Sequence, residues 1–67
     1  MSKTEAFKAD LEAMVDASSL AQVIEALGEI CAEKADHIRA SYDDRATAKI
    51  WDDAARKVMA LASKVDV

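Results

Sequence analysis

Leu20 to Val65 reads LAQVIEALGEICAEKADHIRASYDDRATAKIWDDAARKVMALASKV. Two amphipathic stretches of matched length, Leu20–Ser41 and Arg45–Val65, fill this segment, and almost nothing interrupts them. The whole chain has no proline and a single glycine. In the first stretch Leu20, Val23, Ile24, Leu27, Ile30, Cys31, Ala35 and Ile38 share one arc of a helical wheel, with Glu25, Glu29, Glu33 and Asp36 opposite. In the second, Ile50, Trp51, Ala54, Ala55, Val58, Leu61, Ala62 and Val65 form a stripe that Ala48 and Met59 widen. Apolar residues recurring at this spacing specify amphipathic helices. Tyr42-Asp43-Asp44 lies between them, and Asp44 suits a helix N-cap, where its carboxylate accepts amides that have no helical partner. The alternative is one continuous helix from Leu20 to Val65. A hairpin is favoured over that rod because an isolated rod leaves both apolar stripes in water.

Upstream, Ser2-Lys3-Thr4-Glu5 has the form of a capping box. Phe7, Leu11, Met14 and Val15 follow on one helical face. Ser19 and Gln22 make a second box at the start of the next helix. The expected fold is therefore all-α in one domain, residues 1–67. Helix 1 spans about residues 3–16, helix 2 about 20–41 and helix 3 about 45–65, the last two forming a long antiparallel hairpin. The apolar arc of helix 3 covers about half its circumference at ~100° per residue, more than one neighbour can cover. Either helix 1 or a second subunit must supply the rest. The expectation is that hairpins dimerise into a helical bundle with the first helices flanking it.

Size points the same way. A chain of 67 residues buries a modest core and is marginal alone. Small domains gain stability from disulfides, metals or further subunits. Cys31 is the only cysteine and His37 the only histidine, which excludes an intrachain disulfide and disfavours a protein-only zinc site. Hydrophobic residues make up 52% and charged residues 33% of the chain, a folded composition. No apolar run approaches the roughly 20 residues of a membrane span. A cytoplasmic location is expected, and an unpaired cysteine agrees with it. The net charge of −4 opposes general attraction to nucleic acid.

Several features bear on function. Ala21, Gly28, Ala32 and Ala35 form a narrow seam of small residues on helix 2. A mid-helix glycine costs about 1 kcal/mol relative to alanine, so Gly28 implies close approach of another backbone, in a partner subunit or in helix 1. Gly28, Ala32, Ala35, Trp51 and Met59 are thus the candidate interface residues. Lys34 falls inside the apolar stripe. Its stem can lie along apolar surface with the ammonium at the bundle edge, or it can pair with Asp52 or Asp53. Lys49–Asp53, Asp52–Arg56 and Asp53–Lys57 are expected as surface pairs along helix 3.

The row Glu25, Glu29, Glu33 and Asp36 is acidic, whereas helix 3 carries five basic residues against two acidic ones. The row can bind a basic protein partner or the basic face of another copy. Glu33 and His37, one turn apart, are weak metal candidates, but the Glu-x-x-His di-iron motif is absent because Lys34 stands three before His37. Cys31 reads as a small core residue, and Tyr42 as packing at the bundle end. No catalytic motif, Gly-rich loop or cofactor signature is present. The expectation is a non-enzymatic interaction protein, an adaptor or regulator acting through helix surfaces as a homodimer, with no cofactor, nucleic acid or membrane. The alternatives are a small acidic inhibitor of phage type seated in the basic groove of a nucleic-acid enzyme, and a metal- or ligand-binding bundle.

Overall fold

A computed structural model describes residues 3–67. The chain forms three helices, α1 (Lys3–Ala17), α2 (Leu20–Tyr42) and α3 (Arg45–Ala62), with no strand among the described residues. Ser2, and with it the first capping box, lies outside them.

Local chemistry accounts for each boundary. The Ser18 amide and hydroxyl both donate to the Met14 carbonyl, at 3.1 and 2.8 Å, closing the last turn of α1. Ser19 is extended (φ −167°, ψ 161°) and its Oγ accepts from the Gln22 amide at 3.0 Å. This is the N-cap arrangement, which satisfies a donor that the first helical turn leaves free. The hairpin turn uses two aspartates. Asp43 closes α2 in the left-handed region at φ 51°, where a short polar side chain is tolerated better than most. Asp44 caps α3: Oδ1 accepts from the Thr47 amide at 3.1 Å and Oδ2 from the Thr47 hydroxyl at 2.8 Å. The continuous rod is therefore excluded.

The Thr47 amide, and then the Thr47 hydroxyl, hold the Asp44 carboxyl below its ordinary value of 3.8. A carboxylate whose folded pKa is depressed contributes stability above the unfolded pKa and loses it as pH falls through the folded value. Asp44→Ser preserves a cap without the titration. The advantage of the wild-type chain over this variant is expected to be full at neutral pH and to vanish as the pH is lowered below about 4. Urea unfolding of both proteins across that range checks it, and a pH-independent difference would contradict it.

The expected end of α3 at residue 65 is corrected to Ala62. The last turn tightens: the Lys64 amide donates to the Leu61 carbonyl at 3.0 Å and the Val65 amide to the Ala62 carbonyl at 3.3 Å. The Ser63 hydroxyl donates to the Ala60 carbonyl at 2.8 Å. The tail then turns across the hairpin, and the Val67 backbone oxygen accepts from the Ala21 amide at 2.7 Å. That bond satisfies another free donor at the start of α2, which continued α3 helix could not reach.

The helices α2 and α3 pack closely, whereas α1 meets α2 lightly and has no packing contact with α3. The result is thin, 37 × 32 × 14 Å, close to one helix diameter in its smallest dimension. The radius of gyration is 14.0 Å, against about 11 Å for a compact chain of this length.

Candidate interaction surface

The fully covered residues are small. Gly28 and Ala35 of α2 and Ala48 and Ala55 of α3 are buried, and no large side chain is. Ala21, Gly28 and Ala35 recur every seven residues, as do Ala48, Ala55 and Ala62. A seven-residue repeat keeps one edge of a helix facing its neighbour, and residues without long side chains let the two backbones approach. A Cβ placed on Gly28 would lie 2.6 Å from Met59 Sδ and 2.8 Å from Met59 Cγ. The small-residue seam is thus filled by α3 of the same chain, not by helix 1. Gly28 and Ala35 are used up in the hairpin, with Met59 against Gly28; Ala32 stays exposed and Trp51 half-buried.

This packing displaces the large apolar residues to one side. Antiparallel helices turned by equal angles from their contact line share a side of the pair. With Gly28–Ala35 and Ala48–Ala55 as that line, at ~100° per residue, Leu20, Leu27 and Ile38 of α2 fall on the same side as Val58, Leu61 and Val65 of α3. Trp51 and Ile50 flank them. Glu25, Glu29 and Asp36 fall on the other side, with Arg45, Lys49 and Arg56. The hairpin has an apolar side and a charged side. On the apolar side Leu61 is 52% exposed and Leu27 44%, and Ile50 at its margin is 67% exposed.

Helix α1 does not cover this side. It packs beyond α2, leaving an open apolar cleft of about 300 Å³ lined by Leu11, Met14, Val23, Ala26, Leu27 and Ile30 among others. Phe7, farther out on α1, is 64% exposed. Of the two covers that the wide arc of helix 3 called for, helix 1 is not one.

The ion pairs differ from those expected along helix 3. Arg39 bridges the helices, donating to Asp36 at 3.1 Å and to Asp52 across the hairpin. Asp53 pairs with Arg56 one turn on. The i, i+4 pairs Lys49–Asp53, Asp52–Arg56 and Asp53–Lys57 do not form, because Arg39 reaches Asp52 from α2 and Arg56 reaches Asp53 at i+3. Lys34 consequently has neither aspartate; it is exposed and makes no ion pair among the described residues. All these pairs are solvent-exposed, and such pairs contribute about 0–1 kcal/mol each.

The remaining candidates are open to solvent. Glu25, Glu29, Glu33 and Asp36 are all exposed. Glu33 and His37 border a shallow hollow of about 220 Å³ with Ile30 and Lys34. Among the described residues no three of His, Cys, Asp and Glu are placed to hold a metal ion. His37 instead meets Tyr42 edge to face, ring centres 5.9 Å apart. Cys31 is a free, half-buried thiol. No polar side chain is buried among the described residues. No described helix is long and apolar enough to cross a membrane.

No protein-family model matches the chain, and comparison with curated proteins and with solved structures gives no match.

Proposed function

We propose that this chain is a non-enzymatic interaction protein, a small adaptor or regulator that acts through its helix surfaces as a homodimer. The observation that carries the reading is surface area. A folded monomer of 7.2 kDa exposes about 4,100 Å², whereas this chain exposes 5288 Å², an excess of about 1,200 Å². Large apolar side chains are among those left uncovered: Leu27, Ile50 and Leu61 of the hairpin and Phe7 and Met14 of α1. A contiguous set of exposed apolar side chains marks an association site. The acidic row supports the inhibitor reading less well, since Arg45, Lys49 and Arg56 share the side that carries Glu25, Glu29 and Asp36.

If folding and pairing are coupled, stability depends on protein concentration. A tenfold increase in concentration is expected to raise the melting temperature by about 5 °C, from the mass-action term and the unfolding entropy of two such chains. Calorimetry over two decades of micromolar concentration tests this. An invariant melting temperature together with a sedimentation mass near 7.2 kDa would remove the homodimer.

A further inference from the structure

The homodimer reading leaves open which surface pairs, and the hairpin offers two sides of opposite character. We infer that the apolar side of the α2–α3 pair is the dimer interface, packed face to face on the same side of a second copy about a two-fold axis, with α1 of each chain outside the contact. The inference rests on the homodimer reading and adds the face and the occupant.

Three observations select a second copy. The first is area. The shorter helix, α3, has 18 residues, so the side it shares with α2 measures about 27 Å by 20 Å, and two copies pressed together cover more than about 1,000 Å² of accessible surface. That reaches the threshold for a specific interface.

The second is charge. Lys34 is the one Lys, Arg, Asp or Glu within the apolar side; it projects beside Leu27, and its long stem can lie along apolar surface while carrying the ammonium to solvent. Two such sides meet without bringing a carboxylate into the contact. The charged side mixes Glu25, Glu29 and Asp36 with Arg45, Lys49 and Arg56, and pairing there would desolvate ions. An isologous contact needs a surface that complements itself, and an apolar side whose one charge sits on a long, flexible stem does so.

The third is topology. α1 packs on α2 alone; it leaves Leu61 of α3 uncovered, and Leu27, which faces Leu11 and Met14 across an open cleft, stays 44% exposed. Four hairpin helices stacked as two layers bury these residues from both directions, the arrangement of a four-helix bundle.

Sedimentation of the full chain tests the assignment with Leu61→Glu, which puts a carboxylate in the contact, and Lys49→Glu, which changes charge on the opposite side. The dissociation constant is expected to rise at least about 30-fold for Leu61→Glu, the size of a hot-spot loss, and to stay within about threefold for Lys49→Glu. Because Leu61→Glu can also loosen the helices, a second measurement uses the unaltered chain. Trp51, the only tryptophan, is half-buried beside the interface, so its emission is expected to shift to the red on dilution through the dissociation constant. A dimer that survives Leu61→Glu, or that dissociates with no change in Trp51 emission, places the interface elsewhere and overturns this assignment while leaving the homodimer standing. A folded monomer at every micromolar concentration overturns both. A Leu61→Glu chain that loses its helical circular dichroism leaves the decision to the Trp51 dilution.

Discussion

Replacing Ala35 with leucine is expected to destabilise the hairpin by about 3 kcal/mol, the upper range for forcing extra carbons into a closely packed site. A chain of 67 residues has roughly 3–10 kcal/mol in total, so the variant should lose from about a third to all of its stability. The size of the effect comes from the seam. Ala35 and Ala48 are both 0% exposed, and they lie on the small-residue edges through which α2 and α3 meet. Alanine and leucine have similar helix propensity, so the change reports packing almost alone. Ala32→Leu, on an exposed position of the same helix, is expected to stay within about 0.5 kcal/mol of wild type. Urea midpoints at unchanged slope give both numbers. Equal midpoints for the two variants would mean that the helices do not meet through this edge.

The second large effect lies at Gly28. Gly28→Leu is expected to cost about 2–3 kcal/mol, because its side chain would have to occupy the space that Met59 fills. Gly28→Ala is a different case. The added Cβ conflicts with Met59 Sδ and Cγ, while the Met59 backbone nitrogen is at an ordinary 3.6 Å. Met59 is flexible and 39% exposed, so its side chain can turn away. The gain of about 1 kcal/mol in helix propensity then offsets the lost contact, and the net change is near zero. In a Met59→Ala background nothing has to move, and Gly28→Ala should gain the full ~1 kcal/mol. A double-mutant cycle measures this coupling. A coupling energy indistinguishable from zero would separate Gly28 from Met59 and contradict the close approach.

These two sites show where reading residues on a wheel stops. Leu20, Leu27, Ile30 and Ile38 dominate the apolar stripe of helix 2, and Ile50, Leu61 and Val65 that of helix 3. Large side chains carry most of the transfer free energy, so the middle of each stripe is the natural guess for the contact. The helices meet instead at the small-residue edge, with the large residues on one flank. The signal was present: Ala21–Gly28–Ala35 and Ala48–Ala55–Ala62 are two seven-residue repeats of small residues. Matching one repeat against the other points to α3 as the neighbour of the seam, where the glycine alone suggested a partner subunit or helix 1. The ion pairs had no comparable signal. Whether Asp52 pairs along α3 or with Arg39 depends on where α2 places the guanidinium, and spacing within one helix does not hold that information.

The three helices, the starts of α2 and α3 and the break between them follow from sequence by itself. Ser19 and Asp44 bind amides within three residues of themselves, and the break at Asp43–Asp44 is local backbone chemistry, so neither needs a distant partner. Three outcomes needed the tertiary structure: the edge through which α2 and α3 pair, the gathering of exposed Leu27 and Leu61 on one side with the charges on the other, and the placement of α1 beyond α2. The physical reason is that a wheel gives the direction of a side chain about its own axis. Which direction becomes inside depends on how closely two backbones can approach, and that is a property of both helices at once.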